Sequence, residues 1–263
     1  MKQSVVRSLA GTLKTCVIFV TLFIVSVTTS LGQGTIKDTI VNCKFFAPSY
    51  SFQEPAASLA KEFGWNNALG ASFYFKFGHN ILLGVDGNYF FGNDIRDDSL
   101  FKYITAYGGG VIGTEGVYSN VALYERGYNV TARIGKVYPI FHSNHNSGLV
   151  VTFGAGFIQQ KIRIVVINSD IPELQGDYLK GYDHLTNGPT LSQYVGYMHL
   201  GRNNLENFDI GLEAFEGFTK NRRAYNFDSM GPITSIQYDV LIGIKLGFIL
   251  PFYRDVSRII YTY

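Results

Sequence analysis

The chain has 263 residues, with 22 Lys plus Arg against 20 Asp plus Glu, 16% charged residues, 21 Phe, 18 Tyr and 29 Gly. A near-neutral chain carries no electrostatic footprint for nucleic acid, and its charge falls well short of the roughly 25% usual in soluble domains. Abundant aromatics and glycine favour strands over helices.

Residues 1–32 follow the order of a secretory signal peptide. Lys2, Arg7 and Lys14 come first with no acid, then the apolar run CVIFVTLFIVSV, then small residues including Ser30 and Gly32. An uncleaved anchor is the alternative, but the run is short against the ~20 residues of a spanning helix. Cys16 opens the run and Cys43 lies too far on for a lipoprotein signal. Cleavage after Gly32 leaves residues 33–263 as one domain with 19 bases, 20 acids and one cysteine. No intramolecular disulfide is then possible. No Cys/His cluster points to zinc, so neither metal nor cofactor is expected.

The rest alternates with a period of two, the period of a strand. CKFFAPSYSFQ is a first strand, less clean because of Pro48. In NNALGASFYFKFG, Leu69, Ala71, Phe73, Phe75 and Phe77 alternate with Gly70, Ser72, Tyr74 and Lys76. ILLGVDGNYFFG sets Leu83, Val85 and Tyr89 against Gly84, Asp86 and Asn88. YNVTARIG places Thr131 and Arg133 opposite Val130, Ala132 and Ile134. LVVTFGAGF repeats the pattern, and LSQYVGYMHL does so less cleanly because Gln193 falls in the apolar set. FDIGLEAFEGF sets Asp209 and Glu213 against Phe208, Ile210 and Leu212. Last, SIQYDVLIGIKLGFILPFY is long enough to suggest a membrane helix. Yet from Ile236 to Phe252 every second residue is apolar, and the intervening set holds Asp239, Gly243 and Lys245.

These segments make about eight strands of bilayer-crossing length. Short turns (His79–Asn80, FHSNHNSG, GRNNLEN) alternate with longer links at 54–66, 94–126, 165–187 and 221–235. Outer-membrane barrels have this asymmetry, with short periplasmic turns and long outer loops. A soluble β-sandwich would put the charged face in water; the charges and loop asymmetry argue against it. The expected fold is all-β: an eight-stranded antiparallel transmembrane barrel in the outer membrane.

The lumen of such a barrel is just wide enough for side chains. The inward set holds Lys76, Arg133 and Lys245 with Asp86, Asp209, Glu213 and Asp239. Near-balanced charge in a narrow space predicts paired networks and a plugged interior rather than a pore.

The signal segment, alternating strands, loop asymmetry and GIKLGFILPFY…YTY resemble small outer-membrane barrels of the OmpA/OmpX architecture. SLAKEFG, FGND, YERGYN, GDYLKGYDHLTNG and EGFTKNRRAYNFD together resemble an uncharacterised barrel family of Bacteroidota-type envelopes. That resemblance implies no activity; it implies accessory roles in secretion or barrel assembly. Tyr263 resembles the end of an assembly signal, displaced from the last strand.

Chemistry is sparse. His184 follows Asp183, with Ser192 further on, but no nucleophile signature supports a surface lipid-modifying enzyme. His142 and His145 sit in a turn without a nearby carboxylate. AYGGGVIGTEG lacks the Lys-Ser/Thr ending of a phosphate loop. The long links mix Tyr, Arg, Asn and Gly, the palette of recognition surfaces. Tyr124, Arg126, Tyr178, Tyr182, Arg222, Arg223 and Tyr225 are the candidates, with Arg222 and Arg223 able to pair with lipopolysaccharide phosphates. A non-enzymatic barrel that docks an envelope protein is the leading reading. A lipid-modifying enzyme and a small-solute channel are the alternatives.

Overall fold

The computed structural model describes residues 42–97, 99–106, 110–114, 116–140, 144–167, 171–201 and 206–253. The expected signal peptide, His142 and Tyr263 lie outside the described residues. Among those residues no helix is long and apolar enough to cross a membrane.

Strands β1 (Cys43–Ala57), β2 (Asn66–Phe77) and β3 (Ile81–Gly92) form an antiparallel meander. The two-residue β4 (Val111–Ile112) pairs only with β5 (Tyr118–Tyr138). Then β5, β6 (Gly148–Ile167), β7 (Thr186–His199), β8 (Phe208–Asn221) and β9 (Ile236–Phe248) continue in order. β9 returns to β1, with Ser49 opposite Gly247 and Ala57 opposite Asp239, which closes an eight-stranded barrel. Closure removes the free edges of the barrel wall. β10 (Leu250–Tyr253) prolongs β9, with Phe46 opposite Leu250, so the register with β1 is unbroken. The interruption falls where Pro48 enters that ladder, and a proline has no N–H to donate. Ile249 still donates to the Asn207 carbonyl on the other side at 2.9 Å.

The wall is inverted relative to a soluble protein. Along β9, Ile242, Ile244 and Leu246 are 50–53% exposed, while Lys245 between them is 4% exposed. Apolar side chains on the outside and a lysine within suit a lipid-facing wall. The C-terminal stretch is therefore a strand and not a helix. At the short-turn end, His79 and Asn80 take φ of +64° and +62°. Phe77 pairs with Ile81, so Gly78, His79 and Asn80 make a three-residue turn, among the common short hairpin connections.

The interior is layered. Along β3 the inward residues run Leu82, Asp86, Asn88 and Phe90; along β9 and beyond they run Leu241, Lys245 and Ile249. Leu82 and Ile249 belong to an apolar cluster at the short-turn end with Phe45, Val137 and Met198. Phe90 and Leu241 belong to a second at the loop end with Leu59, Ile158, Ile162 and Phe215. A charged belt lies between them.

The sequence pattern places the second and third long links at 94–126 and 165–187. The structure instead carries β5 and β6 well past the other strands, pairing Asn120 with Ile167 through Arg126 with Lys161. Alternation fails there for a physical reason. Val121, Leu123, Ile164 and Val166 share the inward face of this hairpin and pack on the loop-end core, so apolar residues turn inward here where the wall below turns them outward.

The loop cap and charged belt as candidate functional site

The belt centres on Asp86. Its carboxylate accepts from Ser72 Oγ at 2.5 Å and Asn88 Nδ2 at 2.6 Å, and it meets Lys245 Nζ at 2.5 Å and Arg133 at 3.2 Å. Glu213 lies 3.8 Å from Arg133 and 3.9 Å from Lys245, and accepts from Gln53 Nε2 at 3.1 Å. Arg133 also covers the Phe215 ring at 5.3 Å. Asp209 joins through Tyr194, whose hydroxyl donates to it at 2.9 Å. Two expected members stand apart. Lys76 donates to Asn146 Oδ1 at 2.7 Å near the turns. Asp239 accepts from Thr219 Oγ1 at 2.5 Å and Gln160 Nε2 at 3.0 Å near the loops. Glu125 is also buried inward, held by Asn66 at 3.0 Å; the pattern misses it because it falls in a predicted loop. The belt leaves a cavity of about 30 Å³, lined in part by Tyr74, Arg133, Tyr194 and Lys245. That is room for a water or two.

Above the mouth, backbone hydrogen bonds tie the four long loops in two pairs. In the first two, Gly64 N–H donates to Asp94 O at 2.7 Å and Arg96 N–H to Glu62 O at 2.8 Å. This sets Glu62 and Asp97 on neighbouring strands of chain. In the last two, Phe227 N–H donates to Gly181 O at 3.0 Å and Arg222 N–H to Leu185 O at 2.8 Å. Gly181 is obligatory at that contact, since a Cβ there would stand 2.1 Å from the Phe227 ring. Arg223 forks onto the buried Asp183 carboxylate, with Nε to Oδ1 at 2.7 Å. That bond to Asp183 raises the Arg223 pKa further.

Four of the seven loop candidates line one groove of about 370 Å³: Tyr178, Arg222, Arg223 and Tyr225. Phe227, absent from the sequence reading, is its floor. Its ring lies 6.4 Å from that of Tyr178, 5.5 Å from Tyr225 and 5.0 Å from Tyr182. Tyr182 itself is only 5% exposed, so it supports the groove from beneath. Tyr124 and Arg126 are not loop residues. They lie within β5, with the Arg126 guanidinium 5.3 Å from the Tyr124 ring. Register sets Arg126 opposite Lys161 and Tyr124 opposite Arg163, so three cations share the raised hairpin just beyond Tyr128 and Phe157.

His184 is buried in the third loop, in the positive-φ region at +45°. It has no contact with Ser192, which is buried on the inward side of β7. Around it stand three carboxylates. Glu62 Oε2 is 3.5 Å and Asp97 Oδ2 is 3.8 Å from Nδ1, and Asp228 Oδ1 is 3.3 Å from Nε2. Burial alone would lower the imidazole pKa, but the carboxylates, Glu62 foremost, outweigh it and raise the value to about 9. No spacing in the sequence announces this cluster, because each of the four residues comes from a different loop.

No family model matches the chain, and no curated protein does. Among solved structures it is similar to Ail, the attachment invasion locus protein of Yersinia pestis, in complex with the heparin analogue sucrose octasulfate. The identity is 10%, covering 81% of this chain and all of that one, with a TM-score of 0.41. It is also similar to Neisserial surface protein A (10% identity, 80% and 97% covered, TM-score 0.40) and to OprG of Pseudomonas aeruginosa (10%, 84% and 100%, 0.37). The barrel of this chain rests on its own register and burial: it is a small eight-stranded barrel of the outer-membrane type.

Proposed function

We propose that the protein is a non-enzymatic outer-membrane barrel that serves as a docking component of a cell-envelope complex. The observation that carries this reading is the groove over Phe227. Tyr178 and Tyr225 stand 65% and 43% exposed on a floor that backbone bonds hold in place. Aromatics and arginine on a preorganised support are the anchors of protein interfaces. The filled lumen speaks against a solute channel. Facing carboxylates and not a hydroxyl, His184 does not supply the base–nucleophile pair that a lipid-modifying enzyme needs. The cations Arg126, Lys161 and Arg163 suit lipopolysaccharide phosphates at the outer leaflet, as does Arg222, whereas Arg223 is already paired with Asp183.

The test is a mild-detergent pull-down of tagged protein from native outer membranes, read by mass spectrometry. An envelope protein is expected in stoichiometric amount with the wild type, and depleted at least tenfold with Tyr178→Ala/Tyr225→Ala. Unchanged recovery with that variant would sink the docking reading.

A further inference from the structure

We infer that Asp97, His184 and Asp228 form a binding site for a divalent first-row metal ion, with Glu62 orienting the imidazole. One ring nitrogen of His184 and one oxygen from each of the two aspartates lie within 4.8 Å of one another. Ligands at the ~2.0–2.2 Å bond lengths of zinc lie roughly 3.3 Å apart in a tetrahedron. The 3.3 Å between His184 Nε2 and Asp228 Oδ1 already meets that spacing, and the rest needs a contraction of the same loops.

A second observation separates this cluster from a chance gathering of acids. The His184 side chain is 4% exposed, and neither ring nitrogen meets hydrogen-bond geometry with any partner; Asp228 Oδ1 is likewise buried without one. A buried polar atom left unsatisfied costs about 1–3 kcal/mol. Here such atoms from two loops face each other. Asp97 also turns to the ring, but on its Nδ1 side: Oδ1 accepts from Ser99 N–H at 3.0 Å and Ser99 Oγ at 2.7 Å, while Oδ2 stands 3.8 Å from Nδ1 and must swing toward Nε2 to share an ion with Asp228.

Charge favours a dication over a proton. With His184 protonated, three carboxylates still outnumber one positive charge; Arg96, next to Asp97 in the chain, is paired with Glu54 and Asp94 at 3.2 and 3.7 Å. One imidazole with carboxylates suits zinc or manganese, whereas calcium prefers oxygen alone. With Nε2 on the ion, Nδ1–H faces Glu62 Oε2 at 3.5 Å, the carboxylate–histidine support common around bound metals. Such an ion would draw on all four loops and lock the cap. The inference stands apart from the docking reading, since none of Glu62, Asp97, His184 and Asp228 lines the groove.

The experiment uses the full barrel, purified in detergent, treated with chelator and titrated with Zn²⁺, then Mn²⁺, by calorimetry. One ion per chain is expected. His184→Ala and Asp228→Asn should abolish stoichiometric binding, and Glu62→Gln should weaken it by about 10–100-fold. Limited proteolysis of the loops should slow when metal is added to wild type and stay unchanged in Asp228→Asn. If His184→Ala does not fold, judged by circular dichroism, Asp97→Asn and Asp228→Asn at the partly exposed ligands decide instead. A folded wild type that takes up neither ion in stoichiometric amount overturns the inference. So does undiminished binding in the aspartate variants.

Discussion

The barrel carries two buried gatherings of charge, and they are built differently. In the belt, Asp86 is surrounded at 2.5–3.2 Å by two cations, a hydroxyl and an amide. In the cap, His184 faces its three carboxylates at 3.3–3.8 Å, with polar atoms on both sides unsatisfied. The belt draws on side chains fixed by strand register, so its geometry is held by the wall. The cap draws one residue from each of four loops, so its geometry depends on the loops holding one another. The belt also holds buried atoms without a hydrogen-bond partner, Arg133 Nη2 and Glu213 Oε2, but there each faces an opposite charge around a fully bonded Asp86, and such tight mutual pairing marks a structural element. A looser ring of unsatisfied groups on tied loops marks a place where something binds.

The contrast breaks most sharply at Asp86. Asp86→Ala leaves Lys245 and Arg133 buried without their closest acid, and losing one partner of a buried pair costs roughly 3–5 kcal/mol. Urea unfolding of the barrel in detergent measures this. A loss below about 1 kcal/mol would mean that the belt is not what holds the lumen together. Adding Lys245→Met to Asp86→Ala should cost less than the sum of the single changes, because the two groups share one contact. One position before Glu213, the sign of the argument reverses. Leu212 is 61% exposed on the outer wall. Leu212→Arg should cost about 2–4 kcal/mol if this wall faces lipid near the bilayer midplane. The measurement is unfolding from lipid vesicles. In a soluble protein the same change would fall within about 0.5 kcal/mol, so a neutral result would remove the membrane assignment.

The same contrast explains what could be read in advance. Residues two apart share a face of a strand, so Asp86, Arg133, Asp209, Glu213 and Lys245 could be assigned inward from alternation alone. Register then determined which of them meet. That is why Lys76 and Asp239, inward like the rest, lie at opposite ends and make other bonds. Alternation holds only while one face meets lipid and the other the lumen. Above the bilayer that condition lapses: in the raised part of β5 and β6 the apolar residues Val121, Leu123, Ile164 and Val166 face inward, so the lipid-facing pattern no longer announces these strands. The cap obeys no period at all. Glu62, Asp97, His184 and Asp228 are separated by dozens of residues and meet through backbone bonds such as Gly64 to Asp94, which side-chain patterns do not encode. Phe227 escaped for the same reason: its role as groove floor depends on the hydrogen bond to Gly181.

Smaller effects sharpen the claim that the cap is separable from the barrel. Arg223→Ala removes the fork onto Asp183, which is 6% exposed. Hydrogen bonds to charged groups contribute roughly 1.5–3 kcal/mol, but here the loss should stay local. Protease cleavage within the third and fourth loops should accelerate several-fold while the unfolding midpoint of the strands barely moves. A midpoint that falls with the loops would join cap and barrel into one cooperative unit.

The smallest change is expected from the exposed rings. Tyr178 and Tyr225 stack on Phe227 from the open side, and surface substitutions of this kind usually stay within about 0.5 kcal/mol. The double variant Tyr178→Ala/Tyr225→Ala should therefore unfold like the wild type and keep its metal stoichiometry, since neither ring touches the cage around His184. Only partner capture should fail. A loss of stability above about 1 kcal/mol would instead make these tyrosines part of the cap's own packing. In that case their exposure would reflect incomplete burial, and the groove would have no need of a partner to explain it.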